Sequence, residues 1–235
     1  MEPVIKVNNL VQKIGRKPLL QGITFEVMAG ECLGIFGTRG AGKTSLIHIL
    51  AGVDRFSSGQ ITIYGHNIRK TEKFKRDIGL VTQANSLFRD MTVVENLDFI
   101  AALKKAPKAN VLEMIERFNL KEFLSKPAAA LDIGALQRLS LACAMLNRPK
   151  LLLVDEIMKD IDLPSRNLIL SELEQFSAGG GTCVSAISTL TICDYIDKVA
   201  WLEGGTITLY DLQEAQAEWD RQEKYYAEQS GRCHA

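Results

Sequence analysis

The stretch "GIFGTRGAGKTSLIHIL", residues 34–50, constrains the chain more than any other. An apolar run enters it and an apolar, helix-like run leaves it. Between them lies Gly-x4-Gly-Lys-Thr, made of Gly37, Gly42, Lys43 and Thr44 with Thr38, Arg39, Gly40 and Ala41 inside the loop. Glycines let successive backbone N–H groups curl around an anion, and a helix opening near Gly42 aims its positive end at the same point. In such a loop Lys43 reaches the β- and γ-phosphates, Thr44 ligates Mg²⁺ and Ser45 helps with the α-phosphate. A glycine-rich turn with no ligand is the bland alternative, and the strand before and helix after argue against it.

A phosphate loop of this kind needs a distal carboxylate for the metal, placed at the end of an apolar strand. "KLLLVDE" supplies Asp155, and Glu156 beside it can hold a water for attack on the γ-phosphate. Alone, an Asp-Glu pair at a strand end is as readily a solvated turn. Here it follows Lys43 by 112 residues with a helical stretch between, which favours the metal-site reading.

The periodicity sets these motifs in an α/β chain. "VIKVNNL", "GITFEV" and "QITIYG" alternate apolar and polar residues, as half-exposed antiparallel strands do. "ECLGIFG" and "KLLLVDE" are continuously apolar, as buried strands are. From Thr92 to Leu146 the period becomes helical, through "TVVENLDFIAAL", "NVLEMIERF" and a helix opening near Gly134. A helix over 164–176 and strands in "TCVSAI" and "KVAWLEGG" follow, and 211–230 reads as a polar helix. The expected organisation is one domain over 1–235, divided into a β-subdomain with the phosphate loop (4–83), a helical subdomain (84–147), the rest of the core (148–210) and a C-terminal helix and tail (211–235).

Lys plus Arg and Asp plus Glu each total 28, so the formal net charge is zero. A dedicated nucleic-acid binder usually carries a basic excess, and none is expected as a partner here. The N-terminus has no signal-peptide pattern and no run approaches a membrane span, so any membrane role is expected to come through a partner. Five scattered cysteines, Cys32, Cys143, Cys183, Cys193 and Cys233, have no CxxC spacing and read as free thiols in a reducing cytoplasm.

With these motifs in this order, the chain resembles the nucleotide-binding domain of ABC transporters over residues 4–210. The resemblance implies a P-loop ATPase core with a mainly parallel sheet, an N-terminal antiparallel β-subdomain and a helical insert. ATP and Mg²⁺ are the implied ligands. A membrane permease and a second ATPase, or another copy, paired head-to-tail, are the implied partners, at the inner face of the cell membrane. Gln83 in "IGLVTQANSLFRDMTVVENL" matches the family's glutamine loop, which touches Mg²⁺ or the attacking water and couples to the permease. As a lone residue it would be an ordinary surface group. Asp162 matches the aspartate of the loop after the Asp-Glu strand. "MTVVENLDF" is most similar to exporter-type or ABC-2-type ATPases of bacteria.

Three positions depart from the family pattern. Where an aromatic residue stacks on adenine the chain offers Ile14. Aliphatic packing on a base loses a stacking contribution of about 1–3 kcal/mol, and Ile14 reads equally well as a core residue. The switch-histidine position is Leu190, which has no hydrogen bond to give; His48, His66 and His234 lie elsewhere. The signature loop is "LDIGALQRL": Gly134 matches, but Asp132 stands for its serine and Ile133 for its first glycine. Asp132 brings an acceptor where a triphosphate needs a donor, and Ile133 a side chain where close backbone approach wants none. Asp132 also suits an N-cap for the following helix, and both readings stand together. Mg-ATP binding with weak hydrolysis is the expectation. A non-hydrolysing regulatory or scaffold module and a non-transporter ABC ATPase are the alternatives.

Overall fold

Short, uninterrupted apolar strands form the centre of the molecule because both of their faces are covered. The structure, a computed structural model, describes residues 2–83, 86–190 and 195–232, with side chains of the last helix as far as Glu223. Cys193, Cys233 and His234 fall outside the described residues. Strands β3 (Cys32–Phe36), β7 (Leu151–Asp155) and β8 (Thr182–Ile187) are buried at every position. With β6 (Ile78–Val81), β9 (Lys198–Glu203) and β10 (Thr206–Asp211) they form a six-stranded sheet in the order β10-β9-β3-β8-β7-β6. All neighbours are parallel except β10, which returns antiparallel along β9.

Side chains along these strands alternate between two cores, as the pleat requires. Leu151 and Leu153 of β7 face one core with Leu33, Ile35 and helix α1 (Lys43–Leu50). Leu152 and Val154 face the other, with Phe36, Trp201 and the helical insert. The first core is closed by a four-stranded antiparallel sheet built from β1 (Ile5–Ile14), β2 (Lys17–Val27), β4 (Ser58–Ile63) and the short β5 (His66–Asn67), in the order β2-β1-β4-β5. The segment 4–83 is therefore shared between two sheets, since β3 and β6 pair in the parallel one. Their continuous apolar character is the reason: half-exposed β1, β2 and β4 alternate, whereas β3 has no polar face to give to solvent.

The insert comprises α2 (Val93–Lys104), α3 (Lys108–Arg117) and α4 (Ile133–Met145). Thr92 starts α2 with a reciprocal capping box to Glu95. One turn in, the fully buried Asn96 donates from Nδ2 to the carbonyls of Phe88, Met91 and Thr92 and accepts from the Phe88 N–H. A buried amide satisfied in this way fixes the stretch that leads away from Gln83. Helix α5 (Leu163–Ala178) lies between β7 and β8, and α6 (Leu212–Arg232) follows β10.

"KVAWLEGG" does not run on as one strand. The chain turns at Gly204 and Gly205, both at positive φ, and comes back as β10. A Gly-Gly turn before the alternating "TITLYD" is a hairpin signal. The helices differ from the expected bounds by one or two residues, with α5 covering 163–178 and α4 opening at Ile133, whereas β1 runs on to Ile14 and β2 already starts at Lys17. Cys32, Cys143 and Cys183 are free and buried, and burial pushes the Cys143 thiol up to about 12. Among the described residues no helix is long and apolar enough to cross a membrane.

Gly59 marks where β4 meets β1. Its φ is 102°, and a Cβ there would meet the Asn9 carbonyl oxygen at 2.5 Å and the Leu10 Cα at 2.7 Å. Gly59→Ala must strain or displace backbone, so urea denaturation should show a loss of about 1–3 kcal/mol.

Candidate functional site

The phosphate loop leaves β3 at Phe36, and the backbone around it explains each glycine that matters. A Cβ on Gly37 would lie 2.4 Å from the carbonyl oxygen of Leu202 in β9, so only glycine lets the loop start so close to that strand. Gly42 caps α1 at φ 111°, a conformation that side chains rarely adopt. Gly37, Thr38, Arg39, Gly40, Gly42, Lys43, Thr44 and Ser45 all line one cleft of about 490 Å³. Ala41 turns instead towards the core between the two sheets.

Lys43 is almost fully buried. Its ammonium donates to the Gly37 carbonyl at 2.7 Å and the Thr38 carbonyl at 3.3 Å, and pairs with Glu156 Oε1 at 3.0 Å. Glu156 lines the same cleft from the end of β7, with φ at 48°, a left-handed conformation that costs a non-glycine residue about 1–3 kcal/mol. Its N–H donates to the Ala186 carbonyl at 3.2 Å, which holds the strained residue to β8. Gln83, exposed beyond β6, lines the cleft as well. Three chain segments thus bring a cation, a carboxylate, an amide, hydroxyls and a fan of N–H groups together.

Asp155 sits beneath this surface with no exposure. Its Oδ1 accepts from Thr44 Oγ1 at 3.2 Å, while Oδ2 is buried without a partner. An orphaned carboxylate oxygen costs free energy unless something completes it. With a threonine hydroxyl beside it and oxygen donors throughout, the pair fits a hard divalent cation such as Mg²⁺. Burial raises the Asp155 pKa and Glu156 adds to the rise; the Thr44 hydrogen bond, His48 and Lys43 oppose it.

Ile14 is 65% exposed and lines the cleft beside Leu19, so the core-packing alternative for it does not hold. The tip of the β1–β2 hairpin carries it past the edge of the apolar interior. Leu190 is 5% exposed and packs in the core that holds Ile187, Tyr195 and Ile196. Its side chain turns away from the cleft, and Ser188 lines the cleft from that strand end.

The signature-like residues lie outside the cleft of their own chain. Asp132 caps α4, its Oδ1 accepting from the Ala135 N–H at 2.7 Å, and Ile133 is half exposed at the first helical position. Asp162 likewise caps α5, accepting from the Ser165 N–H at 2.8 Å, and these hydrogen bonds hold its carboxyl below the ordinary carboxylate range. Gly134 lies where the two helix starts meet: a Cβ there would fall 2.0 Å from Asp162 Oδ2 and 2.4 Å from Ser165 Oγ. Its lack of a side chain therefore serves contact within the chain as well as any contact across an interface.

Five cleft residues escape the sequence: Leu19, Phe36, Lys159, Ser188 and Trp219. Only Trp219 leaves a trace there, as the end of an apolar stripe with Leu212 and Ala215 in an otherwise polar helix.

Comparison with known proteins agrees with this geometry. The family model described as ABC transporter matches residues 20–159. The spermidine/putrescine import ATP-binding protein PotA of Pasteurella multocida is 32% identical over 177 residues, covering 74% of this chain and 48% of that protein. The chain thus spans about half the length of that relative. The uncharacterized ABC transporter ATP-binding protein YdbJ of Bacillus subtilis is 31% identical over 210 residues, 88% of this chain and 68% of that one. A bacterial ABC transporter cassette solved as a dimer shares the fold at a TM-score of 0.81 and 22% identity, covering 88% of this chain and 98% of that one. CbiO1 of Clostridium perfringens, part of an ABC transporter complex, aligns at a TM-score of 0.79 and 25% identity over 95% of this chain and 94% of that one.

The raised pKa of Asp155 has a consequence for stability. A carboxyl whose folded value is raised favours the protonated form when folded, so stability is full below its unfolded value of about 3.9 and falls as the pH rises towards the folded value. At pH 7 the nucleotide-free chain carries that penalty. Asp155→Asn should then melt higher than the wild type at pH 7, with the gap closing as the pH falls towards the unfolded value, and should lose Mg²⁺-dependent nucleotide binding. A lower melting temperature for the variant at pH 7 would contradict the assignment.

Proposed function

The chain belongs to the ABC transporter family, as a nucleotide-binding domain of the ABC ATPase type, and from that premise we propose that it is the ATP-binding subunit of a bacterial transporter. In this reading it binds Mg-ATP tightly, closes on a partner cassette and turns ATP over slowly. The observation that carries the reading is the convergence of Lys43, Thr44 with Asp155, Gln83 and Glu156 on one cleft.

Lys43 exchanges the Gly37 carbonyl and Glu156 for β- and γ-phosphate oxygens, while the loop N–H groups and the start of α1 take the remaining phosphate charge. Thr44 and Asp155 would hold a Mg²⁺ ion, which would supply positive charge against the phosphates. Glu156, released from Lys43, would orient a water, and Gln83 would reach the metal or that water from the same cleft. Ile14 and Leu19 supply an aliphatic surface for the base.

Two features set the expected rate. Leu190 is buried and has no proton to donate, so one source of γ-phosphate stabilisation is missing. In a head-to-tail pair, the partner's site would close on Asp132 and Ile133, a carboxylate already engaged as a helix cap and a branched side chain. The likeness to dimeric cassettes supports pairing with a second cassette, and family membership supports docking on a membrane permease through the Gln83 loop. The chain would then sit at the inner face of the membrane. The exporter-like resemblance of "MTVVENLDF" stands beside relatives named for import, and the proposal assigns no direction of transport.

The buried Leu190 favours a second reading, a regulatory or scaffold module that binds ATP and closes without hydrolysis. Calorimetry should show Mg-ATP binding that disappears in Lys43→Ala. Phosphate release should run roughly 10²- to 10³-fold below that of a cassette with intact signature and switch residues. Robust release that vanishes in Lys43→Ala would overturn slow turnover, and retained ATP with no release at all would select the second reading.

A further inference from the structure

Helix α6 is polar along most of its length, yet its start is firmly built. Asp211 and Glu214 cap it reciprocally: the Glu214 N–H donates to Asp211 Oδ1 at 2.8 Å, and the Asp211 N–H donates to Glu214 Oε2 at 3.1 Å. One turn on, Ala215 is fully buried, and one turn further Trp219 lies on the same face. The Trp219 ring stands perpendicular to Phe36 with centroids 5.1 Å apart, and tilted against Trp201 at 6.3 Å. Phe36 and Trp201 are register partners across β3 and β9 and pack edge to face at 4.8 Å. Three aromatic rings thus run from the C-terminal helix to the residue from which the phosphate loop departs.

The arrangement also has a direction. Helix α6 begins beside the Lys198 end of β9, since β10 pairs Asp211 with Lys198, and reaches Trp201 and Phe36 after two turns. It therefore climbs towards the nucleotide end of the sheet. From Trp219 to Arg232 the helix continues for about 20 Å at 1.5 Å per residue. Trp219 itself lines the cleft with Thr38, Arg39, Lys43, Glu156 and Ser188.

We propose that Trp219 is a positioning residue of the nucleotide site, and that through it α6 senses nucleotide. The proposal rests on the reading of the cleft as an ATP site. Trp219 packs on Phe36, the residue before Gly37, while the Leu202 carbonyl confines Gly37 itself, and Trp219 and Gly37 line the same cleft. A bound triphosphate draws Lys43 off Glu156 and the Gly37 carbonyl, and that change at Gly37 is passed to the ring packed behind it. Among the residues of α6 whose side chains are described, Leu212, Ala215 and Trp219 pack on the core, and Trp219 is the one of these that lines the cleft.

The chain has only two tryptophans, which makes the test direct. Mg-ATP is titrated into wild type, Lys43→Ala, Trp219→Ala and Trp219→Phe, with binding followed by calorimetry and by tryptophan emission. Loss of the aromatic pairs should weaken Mg-ATP binding roughly 3- to 10-fold in Trp219→Ala, and Trp219→Phe should restore it to near the wild-type value. Wild-type emission should shift on Mg-ATP addition, and most of the shift should vanish in Trp219→Phe, where Trp201 remains and binding persists. An unchanged affinity in folded Trp219→Ala, or the same emission change in Trp219→Phe as in wild type, overturns the proposal while leaving the ATP site intact. Wild type that binds no Mg-ATP overturns both.

Discussion

The in-register parallel pairing of β3, β8 and β7 is the constraint on which the site depends. Phe36 pairs with Ile187, and Asp155 with Ala186, so three strands far apart in sequence end at one level. Neighbouring strands lie about 4.8 Å apart, which places the residues that follow them, Gly37, Ser188 and Glu156, around a common space. A shift of one residue between β7 and β8 would turn Asp155 to the opposite face. The continuous apolar character of these strands is what locks the register, because either face meets a packed core.

This constraint explains which parts of the site could be read from sequence. The phosphate loop is local: strand, glycines, lysine and helix lie within 17 residues, and periodicity is enough to place them. Asp155 and Glu156 were legible because a strand end is a position that sequence can mark. Ser188 and Leu19 were not, since each enters the cleft only through pairing between distant segments. Ile14 could be read two ways because its exposure depends on how far a hairpin reaches past the sheet. Leu190 could be recognised as lacking a donor, but that its side chain turns into the core depends on how the chain leaves β8. The strand β10 left a hairpin signal in Gly204-Gly205 and the alternating run after it, but its exposure at a sheet edge gives that run no buried apolar face to stand out by.

Part of the charge in the site is paired before any ligand arrives. Lys43 pairs with Glu156, and Asp155 shares a hydrogen bond with Thr44. Nucleotide binding is therefore an exchange of partners, and its affinity is a difference between two sets of buried charge contacts. The strained Glu156 is held through this exchange by its N–H bond to β8, so its carboxylate can change partner without the backbone moving.

Asp132 and Asp162 each close the first turn of a helix, and those two starts approach so closely at Gly134 that no side chain fits between them. Any chain that brings α4 and α5 together in this way needs glycine there, whether or not a phosphate ever approaches. The one signature glycine that survives here is thus a record of helix contact and carries no information about turnover. In the proposed reading that information lies at Asp132 and Ile133, the first held as the cap of α4 and the second half exposed.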